Sequence, residues 1–480
     1  MPATPQPTVM KFGGTSVADA AAFRRVAEVV WTRQELRPVV VVSAMSRVTD
    51  ALLAACATAA AGDAERAERA LAEHFARHRA VAEELLSTAE TDAFAAELDA
   101  ARAGLAEALR RAAGADETRT EAAATRAAPD AALQDEIVSY GERLSAALLA
   151  AVLRGRDLKA RALDARRCVI TDEEFGRATP LADETAHCTR AHIGAALDAE
   201  ELPVLGGFIA ATRAGVTTTL GRGGSDYTAA LVGAALEARE IQIWTDVPGV
   251  LTADPRVVAA ATTIPRLSFA EAAELAYFGA KVLHPKTILP AIVRGIPVRI
   301  CDSRDAGAPD TVIFFDAEQS PRTVKAIAHK RGVTVVHVTS ARMLGAYGFL
   351  RTLFEVFARH RTAVDLVTTS EVSVSLSLDD TGALAEIVTE LEEIAAVKVE
   401  HDLAVVCVVG EGLRNTPGVA ARVFTAVRNI NVMLISQGAS SVNLTFVVAE
   451  ETVEQVVRQL HQAFFERDTR ELYHTAMLEH

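Results

Sequence analysis

The sequence has little positive charge and no long hydrophobic run, and these two absences exclude several classes of protein. Its 49 lysines and arginines are outnumbered by 63 aspartates and glutamates, so the formal net charge at pH 7 is −14. This balance argues against a nucleic-acid backbone or an anionic membrane as the main partner, while a local basic site for a small anion remains open. The valines at 39–42 form too short a run to cross a bilayer. We therefore expect no membrane span and no nucleic-acid partner.

Cysteines are also few, and none of them stands in a CxxC pair. The five cysteines are Cys56, Cys168, Cys188, Cys301 and Cys407. Their scattered positions argue against a disulfide framework and against a zinc site. Because no signal peptide opens the chain, we expect free thiols in a reducing cytoplasm.

Strands alternate with helices over more than half of the chain. Half of the 480 residues are hydrophobic, which is enough to form about three domains. Apolar strands such as 38–42 and 202–210 are separated by helices, and this alternation predicts a three-layer α/β domain with a mostly parallel sheet over 8–305. Within this domain, the alanine-rich residues 60–130 predict a helical subregion. Ligands of such folds gather at the carboxyl ends of the strands.

An internal repeat follows a stretch near 303–321 that is rich in Asp, Gly and Pro, where we place the main domain boundary. The segments VDLVTTS and SVSL recur as VMLISQG and SVNL at one common offset, from Val364 to Val432 and from Ser373 to Ser441. Each copy has a leading strand, one helix before the repeated segments and another after them. This order predicts two smaller α+β modules of the βαββαβ type. The two modules are expected over 320–400 and 401–475.

The segment VMKFGGTSV near the start combines a short strand, a lysine, two glycines and a predicted helix over 16–31. Free N–H groups in the loop at Gly13 and Gly14 can face an anion, and Lys11 adds a positive charge. The pattern favours a phosphate site over a plain strand–turn–helix. We expect Ser16 to cap the helix under either interpretation. The segment differs from a Walker P-loop because the lysine precedes the glycines.

A second glycine-rich segment, LGRGGSD, surrounds Arg222. An arginine in such a loop offers a bidentate fork to a carboxylate or a phosphate. Asp226 follows where a helix begins, so it is either an acid of the first helical turn or a carboxylate that faces an ammonium group. Glu142 lies beside Gly141 in another predicted helix; the glycine favours close approach of a ligand or of another backbone, and the alternative is a solvated Glu142.

Three further segments are candidates for nucleotide binding. Thr245 and Asp246 end a strand before a Pro-Gly turn, and Arg256 follows shortly after. Lys281, in GAKVLHP, has the charge to reach a phosphate. The alternatives are an ordinary turn and a solvated lysine, and composition alone leaves both open.

Taken together, these segments resemble the aspartate kinases of the amino acid kinase family. The resemblance spans nearly the whole chain in the order KFGGTSV, VVSAMSRVTD, VSYGERLSA, TLGRGGSDYTA, WTDVPGV, TADPR and GAKVLHP. The repeat resembles the paired ACT domains of these enzymes, one of which is inserted into the other. No glycine-rich dinucleotide motif follows it, so we expect no fused homoserine dehydrogenase.

The resemblance implies transfer of the γ-phosphoryl group of ATP to the side-chain carboxylate of L-aspartate. The product would be 4-phospho-L-aspartate, the entry to lysine, threonine and methionine synthesis. It implies that Lys11 stabilises charge on the transferred group, together with Mg²⁺ and the loop amides, and that the protein itself supplies no metal ligands because Mg²⁺ arrives on the ATP phosphates. The attacking carboxylate is already ionised at neutral pH, so no strong base is needed.

Residue roles follow from the same resemblance. Arg222 would hold the α-carboxylate of aspartate, Glu142 and Asp226 its α-ammonium group, and Thr49 its side chain. The implied catalytic residues are Lys11 and Asp226. The implied substrate-binding residues are Thr49, Glu142, Phe208, Arg222 and Asp226. The implied ATP-binding residues are Lys11, Gly13, Gly14, Thr245, Asp246, Leu251, Arg256, Lys281 and Val282.

The resemblance also implies feedback control and self-association. Lysine is the leading effector, with threonine or combined control as the alternative, because Ala346 and Ala363 replace serines of lysine-sensitive relatives. The implied effector-binding residues are Met343, Phe349, Leu350, Val364, Asp365, Ser370 and Glu371. Exposed sheet edges in the repeat favour a homodimer or a larger homo-oligomer. Two other functions stay open: a kinase for another acid such as glutamate or acetylglutamate, and a non-catalytic amino-acid sensor.

Overall fold

The computed structural model describes residues 5–114, 130–279, 283–315, 323–345 and 347–466. The chain divides into two units. The first unit comprises Met1–Val250, Pro265–Leu267 and Val282–Phe315. The second unit comprises Leu251–Ile264, Ser268–Lys281 and Asp316–His480.

The first unit is built on an eight-stranded sheet in the order β3-β5-β2-β1-β8-β10-β11-β9, beside a three-stranded sheet in the order β4-β6-β7. All neighbours from β3 to β10 run parallel, and β11 pairs antiparallel with β10. The mostly parallel sheet confirms the predicted α/β class. The strands are β1 Thr8–Phe12, β2 Pro38–Val42, β3 Ala160–Leu163, β4 Ile170–Thr171, β5 Leu202–Gly206, β6 Ile209–Thr212, β7 Thr217–Thr219, β8 Glu240–Thr245, β9 Arg266–Ser268, β10 Val298–Asp302 and β11 Thr311–Phe314.

Helices cover this sheet because its strands carry apolar side chains on both faces. From β1, Met10 joins a core cluster with Phe23 of the first helix and Leu148 of the fifth, while Val9 faces Gly233 of the eighth. The helices of the first unit are α1 Ala20–Trp31, α2 Val48–Ala60, α3 Ala64–Leu85, α4 Thr88–Gly114, α5 Ala131–Arg154, α6 Ala182–Thr189, α7 Ala195–Asp198, α8 Gly224–Ala235 and α10 Pro285–Ile292. The next helix in chain order after α8, α9 Phe269–Tyr277, is part of the second unit. Residues 115–129 of the alanine-rich stretch lie outside the described residues.

The prediction that Ser16 caps a helix over 16–31 is wrong. Residues Gly14–Val17 form a 3₁₀ turn, and α1 starts only at Ala20, with Asp19 accepting the Ala22 N–H at 2.8 Å. The Ser16 hydroxyl instead donates to Ser303 Oγ at 2.8 Å. A contact distant in sequence therefore takes the hydroxyl that the local pattern assigned to the cap.

The predicted strand over 202–210 is divided between the two sheets. β5 ends at Gly206 in the large sheet, and β6 starts at Ile209 in the small one. Phe208 turns the chain between them with a φ of +67°, and a Cβ on Gly207 would lie 2.7 Å from the Ser225 Cα. The break brings this segment against the start of α8.

The second unit contains a six-stranded antiparallel sheet in the order β13-β14-β12-β15-β17-β16. Its strands are β12 Ala326–Thr339, β13 Val367–Thr369, β14 Ser373–Leu378, β15 Ala396–Val409, β16 Leu434–Gln437 and β17 Asn443–Ala449. Its further helices are α11 Phe349–Arg359, α12 Leu384–Glu392, α13 Val419–Ala426 and α14 Val453–His461. Two separate hydrophobic clusters lie against this sheet, one with α11 and α12 and the other with α13 and α14.

The long central strands β12 and β15 each serve both copies of the repeat. Residues 326–330 of β12 pair beside 405–409 of β15, and after a register shift Val335–Thr339 pairs with Ala396–Glu400. The start of β12 therefore lies with the second copy, and the start of β15 with the first. Because of this exchange, the predicted ranges 320–400 and 401–475 do not fully describe the two modules. Their boundaries stay a prediction.

Within the described ranges, no helix is long and apolar enough to cross a membrane.

Candidate active site

A cavity of about 690 Å³ in the first unit is lined by both glycine-rich segments singled out in the sequence. It lies at the carboxyl ends of parallel strands, since Gly13 follows β1, Ser43 follows β2, Phe208 follows β5 and Thr245 ends β8. This is the position where folds with a parallel sheet place their ligands. The predicted site residues in the lining are Lys11, Gly13, Gly14, Thr49, Glu142, Phe208, Arg222, Asp226 and Thr245.

Lys11 and Asp226 form an ion pair in this cavity. Their side chains are 12% exposed each, and Lys11 Nζ lies 2.7 Å from Asp226 Oδ1. Asp226 is in the first turn of α8, whose N-cap is Gly223, so its carboxylate contacts the lysine rather than capping the helix. The lysine is thereby held with its charge directed into the cavity.

Glu142 is buried, which excludes the alternative of a solvated side chain. The residue is 3% exposed on α5, Ala44 donates its N–H to Oε1 at 3.3 Å, and Oε2 has no hydrogen-bond partner among the described residues. Burial raises the pKa of Glu142 to about 8, against the smaller opposing effect of the Ala44 N–H. A buried oxygen without a partner, directed at a cavity, is suited to accept a hydrogen bond from a ligand.

Close approach explains the glycines around Glu142. A Cβ on Gly141 would lie 2.8 Å from the Ala44 Cβ, and one on Gly14 would lie 2.9 Å from the Ala44 carbonyl oxygen. The Gly13 N–H donates to the Trp244 carbonyl at 3.2 Å. Of the two amides predicted to face a phosphate, the Gly13 N–H is therefore engaged within the fold.

The loop that carries Arg222 needs its glycines for their conformation. Gly221 and Gly223 have φ of +72° and +74°, and a Cβ on Gly223 would lie 2.9 Å from Thr287 Cγ2. The reversal of the chain leaves the Arg222 side chain exposed in the cavity lining. A guanidinium in this position can hold a carboxylate with two parallel hydrogen bonds.

The structure does not bring all of the predicted nucleotide residues to this cavity. Asp246 accepts the Thr245 hydroxyl at 3.3 Å and pairs with Arg304 at 3.5 Å. Arg256, 89% exposed, is held by Asp254 at 2.7 Å, and this pairing raises the pKa of the guanidinium. Leu251 forms an antiparallel bridge to Thr263. Leu251 and Arg256 both belong to the second unit, and Lys281 and Val282 lie outside the described residues.

The predicted effector residues lie around α11, β13 and β14 in the second unit. Met343, Phe349 and Val364 pack against the core of the first copy of the repeat, and Leu350 is 41% exposed. Ser370 donates its N–H to the Ser373 carbonyl at 2.8 Å, and Glu371 is exposed. Ala346 lies outside the described residues.

Asp365 is the most constrained of these residues. It accepts a hydrogen bond from the Tyr277 hydroxyl. Burial raises the pKa of the Asp365 carboxyl to about 6, and the Tyr277 hydroxyl acts in the opposite direction. A cationic ligand that binds Asp365 at Oδ1 would therefore compete with the tyrosine hydroxyl at that oxygen.

Several lining residues were not predicted from the sequence. Asp135 is 1% exposed and accepts three hydrogen bonds, while Arg47 is exposed at the rim with a φ of +68°. The Ser43 hydroxyl donates to Ser225 Oγ at 3.0 Å. The sequence signal that could have identified Asp135 is its spacing from Glu142, which places both acids on one face of an apolar helix. Acids on such a face are buried rather than solvated.

No group of three or more His, Cys, Asp and Glu side chains suited to a metal ion occurs among the residues that the structure describes.

Comparison with known families agrees with this geometry. The family model described as the amino acid kinase family matches residues 6–302, which is more than half of the chain and includes every lining residue of the cavity. A model described as an ACT domain matches residues 406–464, in the second copy of the repeat.

Individual relatives extend the likeness to the whole chain. The lysine-sensitive aspartokinase 3 of Escherichia coli is 41% identical over 95% of this chain and 99% of its own length. Its crystal structure with aspartate and ADP, described as the R-state, is similar with a TM-score of 0.79, at 40% identity over 96% of this chain and 100% of the other. The structure with lysine and aspartate, described as the T-state, gives the same TM-score over 96% and 99%. This chain belongs to the amino acid kinase family, in its aspartokinase branch.

Proposed function

We propose that the chain is an aspartate kinase, which transfers the γ-phosphoryl group of ATP to the side-chain carboxylate of L-aspartate and yields 4-phospho-L-aspartate. The observation that carries this proposal is the cavity in which the buried carboxyl of Glu142 and the guanidinium of Arg222 lie beside the Lys11–Asp226 pair. An α-amino acid carries both an ammonium group and a carboxylate, and this arrangement offers a partner for each. The lysine-sensitive aspartokinase 3 of E. coli supports the assignment.

Substrate orientation is the first contribution of the protein. Arg222 holds the α-carboxylate, and the unpartnered Oε2 of Glu142 accepts from the α-ammonium group. Asp226 adds a carboxylate to the cavity lining, and Thr49 and Phe208 border the side chain from the cavity wall. Fixing both ends of the backbone leaves the side-chain carboxylate as the free nucleophile, directed at the phosphoryl donor.

Charge stabilisation is the second contribution. Phosphoryl transfer needs little covalent help from a protein, and its barrier falls when positive groups lie where negative charge develops. Lys11, whose Nζ lies 2.7 Å from Asp226, supplies such a positive group to the transferred phosphoryl group, assisted by the N–H of Gly14. Aspartate enters already ionised, so the protein removes no proton from the nucleophile.

Mg²⁺ enters on the phosphates of ATP in this proposal. The cavity lining offers hydroxyl and carboxylate oxygens, such as those of Thr15, Ser43 and Asp226, and Mg²⁺ prefers oxygen ligands. The ion supplies neutralisation of phosphate charge when bound. Thr245 holds the nucleotide from the cavity lining, and the remaining nucleotide contacts are proposed on the resemblance alone. These remaining residues are Asp246, Leu251, Arg256, Lys281 and Val282.

Lysine is the proposed feedback effector, bound by the residues around Asp365 in the first copy of the repeat. The E. coli enzyme whose name and T-state complex include lysine supports this choice over threonine. The chain is also proposed to form homo-oligomers, because β13 and β16 are the terminal strands of the six-stranded sheet among the described residues, and terminal strands can take part in contacts with a second chain. Its five unpaired cysteines favour the cytoplasm.

An ADP-release assay with aspartate, ATP and Mg²⁺ tests the catalytic assignment. Lys11→Ala and Arg222→Ala should each lower kcat/KM by about 100-fold or more. Lys159→Ala and Arg161→Ala, which remove surface charges 70% and 59% exposed, serve as matched controls and should stay within about twofold. Wild-type turnover in both site variants would refute the mechanism, and preference for glutamate or acetylglutamate would identify a kinase for another acid.

Lysine titration tests the regulatory assignment and the sensor alternative. Millimolar lysine should inhibit the wild type, and Asp365→Asn should weaken that inhibition about tenfold or more. Asp380→Asn, at a surface turn of the same module, is the control. If lysine changes neither activity nor oligomer size, the effector is another molecule; if lysine binds to a chain without turnover, the chain is a sensor.

A further inference from the structure

Asp135 is a buried carboxylate in the cavity lining that the proposed chemistry leaves unused. It precedes Glu142 by two helical turns, so both acids lie on the same face of α5. The residue is 1% exposed, and burial raises the pKa of its carboxyl against the effect of its hydrogen bonds. A polar group so far from water needs hydrogen-bond partners to be tolerated.

Three hydrogen bonds with good geometry reach this carboxylate. Oδ2 accepts the Gly176 N–H at 2.8 Å and the Thr219 N–H at 2.9 Å, while Oδ1 accepts the Thr219 hydroxyl at 2.7 Å. All three donors are neutral. Asp135 therefore contributes two hydrogen-bond acceptors at fixed positions. None of these three contacts is an ion pair.

The donors belong to two segments that are distant from α5 in the sequence. Thr219 is the last residue of β7, and the chain continues directly into Gly221 and Arg222. Gly176 lies in the loop that follows β4. This loop is hydrogen-bonded to β7, because the Ala178 N–H donates to the Thr219 carbonyl at 2.8 Å. Asp135 thus joins one helix to the strand and the loop that support the arginine.

The loop around Gly176 is itself well ordered at its base. Asp172 donates its N–H to the Thr179 carbonyl at 3.0 Å, and its Oδ1 accepts the N–H groups of Thr179 and Glu174 at 2.9 and 3.2 Å. Because the base of this loop is already fixed by hydrogen bonds, the bond from Gly176 to Asp135 also fixes the place where the loop contacts β7.

We propose that Asp135 is a positioning residue that sets the separation between Glu142 and Arg222. Glu142 is on the same helix as Asp135, and Arg222 follows the strand end that Asp135 holds. The three hydrogen bonds therefore connect the group that binds the α-ammonium to the group that binds the α-carboxylate. This inference rests on the proposed function, and it makes Asp135 responsible for affinity for the amino acid rather than for the nucleotide.

Steady-state kinetics with Asp135→Ala and Asp135→Asn test the inference. The alanine variant should raise the KM for aspartate by about 10- to 100-fold, as expected when a binding group is misplaced, and leave the KM for ATP within about twofold. The asparagine variant should stay within about threefold of the wild type. Its amide oxygen can accept both N–H groups, and its NH₂ can donate to the Thr219 hydroxyl oxygen.

Two further sets of variants keep the test decisive. Thr219→Val removes one of the three hydrogen bonds and Thr219→Ser keeps it, so their KM values for aspartate should differ by several-fold even if Asp135→Ala does not fold. Glu136→Ala is the matched control on the same helix, because Glu136 pairs with Arg111 at the surface and should leave both KM values unchanged.

Each outcome bears on one assignment. A wild-type KM for aspartate in both Asp135→Ala and Thr219→Val, or an equal rise of the KM for ATP, overturns the positioning role. A loss in Asp135→Asn as large as in Asp135→Ala assigns the effect to charge and likewise overturns it. If the wild type shows no turnover with aspartate, the proposed function is refuted instead. This result differs from a failure of the positioning role because it is seen without any variant.

Discussion

Replacing Glu142 by glutamine should make the protein more stable and a poorer enzyme. The carboxyl is 3% exposed, and its pKa rises from the usual 4.5 to about 8 because burial disfavours the charged form. In the unfolded chain the same group ionises near its usual pKa. Between pH 4.5 and 8 the native state therefore binds a proton that the unfolded state has released, so stability falls as the pH rises through this window.

The size of this effect follows from the two pKa values. At about 1.36 kcal/mol per pH unit, the cost of Glu142 is on the order of 1 kcal/mol at pH 5, 3 kcal/mol at pH 7 and 5 kcal/mol at pH 9. Glutamine cannot ionise, keeps the size of the side chain and can still accept the Ala44 N–H. With an unfolding entropy of about 2.1 cal/mol/K per residue and roughly 290 residues in the first unit, Tm should rise by about 5 °C at pH 7 and about 8 °C at pH 9.

Thermal unfolding of the wild type and Glu142→Gln from pH 5 to pH 9 measures this directly. The difference in Tm should grow with pH, and Glu136→Gln, which changes a partly exposed acid of the same helix, is the control. Kinetically, Glu142→Gln should raise the KM for aspartate by about 100-fold, and in the wild type this KM should fall with rising pH up to about 8, where the carboxylate forms. A Tm difference that is constant with pH, or a variant less stable throughout, would refute the reasoning.

Three further predictions concern single contacts. Arg47→Gly should keep or raise Tm, because glycine adopts a φ of +68° without strain. It should also weaken substrate binding by up to about fivefold, because a cation of the cavity lining is lost. Unchanged kinetics would exclude a role for Arg47. Tyr277→Phe should lower the lysine concentration for half-inhibition several-fold, because the hydroxyl no longer occupies Asp365; weaker inhibition would contradict this. Lys325→Met should destabilise the second unit by about 3–5 kcal/mol in denaturant unfolding, because Glu271, 2.7 Å away and 0% exposed, would lose the cation that pairs with it. A loss below about 1 kcal/mol would contradict this prediction.

Local patterns were sufficient for the elements that surround the site. The all-apolar segment 38–42 is a central strand of the large sheet, and the glycines near Lys11 and Arg222 mark the two loops that line the cavity. These predictions succeeded because the period of apolar residues, and the close approach or positive φ that glycine permits, are properties of short segments. The position at the carboxyl ends of the strands followed from the parallel topology.

Partners distant in sequence decided the points where local patterns were ambiguous or wrong. Ser16 and Asp19 are both suitable helix caps, and the contact of Ser16 with Ser303 left the role to Asp19. Asp135 had the appearance of an ordinary helix acid, because its donors are 41 and 84 residues away.

The sequence by itself determined the α/β class, the family and the membership of most of the cavity, because strand hydrophobicity, glycine conformation and motif order are written in consecutive residues. Only the tertiary structure decided the state of the charged groups. Whether Glu142 is solvated or buried, and whether Lys11 is free or paired with Asp226, depends on which segments pack around each side chain. Burial and pairing change the free energy of an ionised group by several kcal/mol, and no pattern of neighbouring residues records that surrounding.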